Sequence, residues 1–410
     1  MKTLIKIAWR NVWRNKLRSS VVILSIILGL WAGLFTMALC LGLNQQRIDN
    51  TLRSHIAHVQ IHHPKFLETN NPNDTITNHK NIYSNISKNK LVKAASKRLI
   101  VFGMGSTNSG DTDIKVNGID PEKEINISNV NELMIKGTYL KKTANNIPYS
   151  AIIGKGVAKK LNIDLEKENN KITFIYKHKK LDTILLNVTG IYKTSNTSYD
   201  QTNIFVNRNE LNDHISNKEI VHEIAIGCHS IENAKKLKEI IAPISPNNKV
   251  QTWKELKPEL AYANEMMSSF IYIFMIIILI ALSFGIINTM LMAVLERKRE
   301  LGMLMSVGMN KKNVFFIIIL ETLFISLVAM PVGLILSYII ISYFKTVGID
   351  LSIVGEGMES FGVGTIVYPE LPLKMYVNIS IMTLSITFLS SFFPAKRALK
   401  LNPAEAVRSL

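Results

Sequence analysis

The sequence predicts an α-helical membrane domain of four transmembrane helices joined to a large α+β extracytoplasmic domain. Three observations predict it. Apolar residues, 47% of the 410, gather into four runs instead of spreading evenly. A polar block rich in Asn and Lys, roughly 220 residues long, separates the first run from the second. The formal charge of +17 is also blocked: residues 1–18 carry six bases and no acid, 296–312 five bases and two acids, and the chain from 396 four bases and one acid. Together those three pieces hold +12 of the +17, which reads as a cytoplasmic orientation signal and contact with anionic lipid. Binding of nucleic acid is not expected.

The elements follow in order. In residues 1–19, Leu4, Ile5, Ala8, Trp9, Val12 and Trp13 share one helical stripe and Lys2, Lys6, Arg10 and Arg14 the other. That pattern suits a helix lying at the membrane–water interface, and it suits a plain basic flank equally. Residues 20–43 are apolar over a length that crosses a bilayer at about 1.5 Å per residue. The run is longer than the apolar core of a signal peptide, and the large Leu39 just before Cys40 does not suit lipoprotein-type cleavage, so it is expected to stay as the first span, with the N-terminus in the cytoplasm. Residues 44–267 form the extracytoplasmic domain. Alternation at His58–His62, Asp113–Val116 and Lys171–Ile175 predicts half-buried strands, and helices are expected near Tyr83–Ser96, Gly156–Leu161 and Ile231–Ile241.

The second span is 268–295, returning to the cytoplasm. Residues 313–344 form the third, longer than the hydrocarbon thickness, with Pro331 the expected kink. An outer loop covers 345–373, a fourth span 374–394, and a cytoplasmic tail 395–410. Both termini then face the cytoplasm.

Between spans two and three lies a charged segment, 296–312, with its own apolar pattern. Leu301, Leu304, Met305 and Gly308 recur at helical spacing, and Gly308 is placed to stop the helix. A solvated connector needs no such face; a knob for a cytosolic partner does. Glu296 and Glu300 lie one turn apart, placed to pair with Lys298 and Arg299 or with bases on the partner. Glu321 lies inside an apolar helix, where a carboxylate needs a partner or a position near the headgroups; contact with the charged segment is the sharper expectation.

The string E-R-K-R-E-L-G-M-L-M-S-V-G (296–308), followed by a helix carrying Glu321, resembles the coupling helix of FtsX-type ABC permeases, the MacB, FtsX and LolC/LolE families. Further phrases are similar to the MacB/Lol extracytoplasmic domain: S-H-I-A-H-V-Q-I-H (54–62), V-N-G-I-D-P-E (116–122), A-I-I-G-K-G-V-A-K-K-L-N-I (151–163), V-T-G-I-Y (188–192) and T-W-K-E-L-K-P-E-L (252–260). The tail P-A-K-R-A-L-K-L-N-P-A-E-A-V-R (394–408) resembles the FtsX-type C-terminus. The resemblance implies a periplasmic domain of two lobes, with an inserted lobe at about 125–220. It also implies docking on an ABC ATPase dimer through Glu296, Arg297, Arg299, Glu300, Leu301, Gly302, Leu304, Val307 and Gly308.

Other chemistry is not expected. Gly154-Lys155-Gly156 lacks the phosphate-loop spacing, so ATP and Mg belong to the partner ATPase, and the chain is a non-catalytic subunit that binds no cofactor itself. His55, His58, His62 and His63 read as the polar side of an amphipathic strand and not as a metal site. Cys40 and Cys228, far apart in the pattern, do not read as a disulfide. Gly103-Met104-Gly105 reads as a flexible hairpin.

Within the family, S-H-I-A-H-V-Q-I-H and T-W-K-E-L are most similar to the LolC/LolE branch. That implies extraction of lipoproteins from the bacterial inner membrane, with a second permease subunit, identical or homologous, and delivery to a periplasmic carrier. Leu34, Phe35, Phe270 and Phe274 are the expected lining of the acyl-chain cavity. Efflux of MacB type and FtsX-like activation of a periplasmic hydrolase are the alternatives, and the coupling segment is common to all three.

Overall fold

The computed structural model describes residues 2–140, 148–166, 170–178, 180–360 and 362–400. The tail beyond Lys400 lies outside the described residues. The chain divides into two compact units. One comprises Met1–Asn44, Glu265–Asp350 and the chain from Ile366; the other comprises Gln45–Asn264 and Leu351–Thr365.

The first unit is helical. α1 (Lys2–Arg14) is followed by α2 (Lys16–Thr51), α3 (Pro258–Glu296), α4 (Lys298–Ser306), α5 (Lys311–Val347) and α6 (Leu373–Leu399). α2, α3, α5 and α6 are each long and apolar enough to cross a bilayer. α2 packs through Val22, Ile26, Leu30 and Leu34, one residue per turn. α5 answers with Ile317, Glu321, Ile325, Ala329, Gly333 and Ser337, so the carboxylate lies on the inward stripe. Gly333 is there because a Cβ would press on Leu30 at 3.3 Å. α5 continues as helix through Pro331. Near the C-terminal half of α2, the Glu370 N–H donates to the Ala38 carbonyl (3.1 Å), and a Cβ on Gly42 would meet the Tyr368 carbonyl oxygen at 2.2 Å.

The second unit is a mixed sheet with helices, as its alternating and helical patches predict. The strands are β1 (Val59–His62), β2 (Val92–Thr107), β3 (Gly110–Ile119), β4 (Met134–Gly137), β5 (Tyr149–Gly154), β6 (Lys171–Lys177), β7 (Leu181–Tyr192), β8 (Asn203–Asn207), β9 (Glu223–Cys228) and β10 (Lys249–Thr252). Their order is β10-β1-β9-β2-β3-β8-β5-β7-β4, with β6 bridging β2 and β7.

β2 belongs to two lobes. Up to Arg98, opposite Glu223, it pairs with β9; from Leu99, opposite Gly118, it pairs with β3. The cores divide at the same point. One gathers Ile61, Ile82, Ile224, Leu237 and Trp253, the other Leu99, Val116, Ile153, Phe174 and Ile184. The segment the resemblance places at 125–220 therefore shares its core with strands that start at Leu99.

Arg98 marks the handover. Fully enclosed, it donates to Glu124 (2.5 Å) and to Glu223 (2.6 Å), and Glu223 also contacts His62 Nε2 at 3.1 Å. His62 and Gln60 are thus buried, because β1 lies between β10 and β9 and has no open polar side. Two more expectations change. The helix expected over Tyr83–Ser96 ends at Ser87, and Val92 already begins β2. Gly103 and Gly105 lie mid-strand and form no hairpin. A Cβ on Gly103 would strike the Ile175 carbonyl oxygen at 2.3 Å, and one on Gly105 would strike Ile114 at 2.8 Å.

Candidate functional site

α3 and α4 meet at Arg297, whose φ of −97° and ψ of 16° break the helix for one residue. α4 then turns through Ser306 and closes on Gly308, at φ +101°, a backbone that favours glycine. The Met309 N–H returns to the Leu304 carbonyl at 3.0 Å. Asn310 caps α5 by accepting from the Lys312 N–H at 3.0 Å. The short knuckle is therefore built from a kink, a glycine stop and an Asn cap.

Its faces differ from the sequence pattern. Leu301 is 3% exposed, and Gly302 is buried beside it. Leu304 and Met305 are half-buried, with Met305 packed on the helical core. The outward side is Arg299, Met303 (48% exposed) and Val307 (89% exposed), one turn apart. The apolar residues of the segment are thus divided: Leu301 serves the chain's own core, and Met303 and Val307 point away from it.

The acids of the segment pair with arginines of the chain itself. Glu300 accepts from Arg14 Nη2 at 2.6 and 2.5 Å and from Arg297 Nε at 3.1 Å. Those hydrogen bonds, from Arg14 first, hold its carboxyl below the usual range. Glu296 pairs with Arg18. Arg297 Nη1 donates to both Glu321 oxygens, at 3.0 and 3.1 Å. Around them lies a cavity of about 300 Å³, floored by Val22, Met290 and Ile325. Arg14, read from sequence on the polar stripe of a surface helix or basic flank, and Arg18, read only as one of the bases of residues 1–18, are the residues that pattern missed. Arg14 and Glu300 are 286 positions apart, and no local spacing pairs them.

The expected cavity residues separate as well. Leu34 is fully buried among the packed helices and faces no open space, because it lies on the inward stripe of α2. Phe35 is half-buried between Trp31 and Phe344. Phe270 and Phe274 project from α3, 56% and 43% exposed.

Comparison with known proteins places this architecture. Residues 19–244 match the MacB-like periplasmic core domain and residues 272–403 the FtsX-like permease C-terminal domain. The lipoprotein-releasing system transmembrane protein LolC of Buchnera aphidicola is 26% identical over 90% of this chain and 88% of its own length. An ABC transporter permease of Methanocaldococcus jannaschii is 26% identical over 64% of this chain and 63% of its own. The macrolide export ATP-binding/permease protein MacB of Campylobacter jejuni is 29% identical over 32% of this chain, which spans 18% of that protein. The solved periplasmic region of MacB from Actinobacillus actinomycetemcomitans aligns with a TM-score of 0.36 at 12% identity, over 52% of this chain and 95% of that structure. On the two family matches, over residues 19–244 and 272–403, the chain belongs to the FtsX-like, MacB-type ABC transporter permeases.

Proposed function

We propose that this chain is the permease subunit of an ATP-driven complex that extracts lipoproteins from the bacterial inner membrane for a periplasmic carrier. The observation that carries the reading is α4. Met303 and Val307 face outward beside Arg299, and the other side of the same helix is locked through Arg297 to Glu321 of α5. An ATPase pair gripping the outward side has a rigid path to a bilayer-length helix. ATP and Mg are bound by that partner, and this chain supplies the mechanics. The lipoprotein assignment draws on the LolC likeness, which runs along most of both chains.

In this reading α1, α4 and the C-terminal tail face the cytoplasm, and residues 45–264 face the periplasm. A second permease subunit, identical or homologous, covers the exposed side of α3. Phe270 and Phe274 then line the space for acyl chains, with Phe35 as a secondary contact.

The test is affinity purification of the full chain from native membrane, followed by mass spectrometry of proteins and lipidated peptides. An ABC ATPase together with lipid-modified protein is the expected result. An ATPase with a periplasmic adaptor or a peptidoglycan hydrolase in place of lipoprotein would move the assignment to efflux or hydrolase activation. Absence of any nucleotide-hydrolysing subunit would end the coupling reading.

A further inference from the structure

Beneath the outward face of α4 lies a charge cluster that docking alone does not require. Three guanidinium groups, Arg14, Arg18 and Arg297, meet three carboxylates, Glu296, Glu300 and Glu321, around one cavity. The set is neutral. It is also ordered: Arg14 of α1 reaches Glu300 of α4, Glu300 reaches Arg297 at the kink, and Arg297 reaches Glu321 of α5. A helix held at a membrane surface only by its amphipathic character directs its arginines to lipid phosphate. Here Arg14 of α1 is instead committed to Glu300, and Arg18 at the start of α2 to Glu296.

α1 has a second hold on α5. Ala8 and Val12 are fully buried, and Trp9 sets its edge against Phe324 at 5.4 Å. The three helices therefore form a closed triangle, α1 to α4 through Arg14, α4 to α5 through Arg297, and α5 to α1 through Trp9. The corner at Arg297 demands a guanidinium. Its Nε serves Glu300 while Nη1 serves Glu321, and a lysine has one nitrogen to offer both.

We propose that α1 is the second half of the coupling element, with Arg14 and Arg297 as positioning residues that make α1, α4 and α5 move as one body when the ATPase moves α4. This rests on the coupling reading above. It adds that the N-terminal helix is a mechanical part and not a passive membrane anchor.

The test uses the full chain, co-purified with its ATPase in lipid nanodiscs and free of Cys40 and Cys228. Spin labels at Lys6→Cys on α1 and Lys312→Cys on α5 report their separation, without nucleotide and with vanadate-trapped ADP. Wild type is expected to give one narrow distance distribution in each state. Arg14→Glu should retain the ATPase and broaden both distributions. Arg297→Lys should broaden them too, and Arg14→Lys, which keeps one nitrogen for the two Glu300 oxygens, should leave them narrow. Narrow distributions in both Arg14→Glu and Arg297→Lys, or distributions in Arg14→Lys as broad as in Arg14→Glu, overturn the proposal even when the ATPase is bound. If Arg297→Lys does not fold, the two Arg14 variants decide alone. Wild type recovered without any ATPase overturns the coupling reading and this inference with it.

Discussion

Arg98 shows how much one side chain holds in this fold. It is enclosed with two carboxylates, and removing it leaves both buried without the guanidinium they share. Breaking a buried ionic arrangement in this way costs about 3–5 kcal/mol, so Arg98→Met should lower the melting temperature of the full chain markedly, read by circular dichroism. Glu223 carries the pH counterpart. Burial pushes its carboxyl up, but Arg98 first and then His62 outweigh burial and hold it at about 2, against an ordinary 4.5. A carboxyl depressed in the folded state stabilises fully above pH 4.5 and loses that contribution as pH falls through about 2. His222 acts earlier. Burial holds its imidazole at about 4, below the ordinary 6.5, although the Pro72 carbonyl accepting from Nε2 works the other way. Its Nδ1 accepts from the Ile100 N–H at 3.0 Å, so the ring is neutral. Stability should therefore be complete above pH 6.5 and decline from there through about 4; a melting temperature flat across that interval would contradict the buried neutral ring.

At the scale of the element, α4 was largely legible in the chain. Charge flanked by two apolar runs, a glycine for the stop and an Asn for the next cap all lie within a few residues of one another. What periodicity does not disclose is which side of a short helix faces inward. Leu301 and Val307 are both apolar, and only the place of Leu301 in the helical core, with Val314 and Ile318, separates them. The ion cluster is illegible for a different reason: Arg14 finds Glu300 through folding and not through spacing. Two substitutions separate surface from scaffold. Val307→Asp, at a position 89% exposed, should leave the helix intact and reduce ATPase recovery at least about tenfold in a pull-down. Gly302→Pro removes a backbone donor within α4 and clashes with the preceding turn, costing roughly 3 kcal/mol locally. ATP hydrolysis that no longer responds to cargo, measured on the purified complex, is the outcome expected of Gly302→Pro.

For the whole molecule, the arrangement of apolar runs and bases predicts which parts lie on which side of a bilayer. In a chain lacking Cys40 and Cys228, Val307→Cys should react with an impermeant maleimide only in inverted vesicles, and Leu181→Cys, 74% exposed, only in spheroplasts. Reaction of Val307→Cys in spheroplasts would reverse the orientation. The four long apolar helices were legible because their signal is compositional, and the lobe division at Leu99 was not, because the stretch that forms β2 was read as the end of a helix and a glycine hairpin. The continuity of β2 has a consequence for how the sheet domain bears load. A ribbon stitched to β9 along its first half and to β3 along its second joins the two cores through its own backbone at Arg98 and Leu99. Tension drawn along β2 in one lobe is handed to the other through that single peptide, with the Arg98 ion pairs beside it.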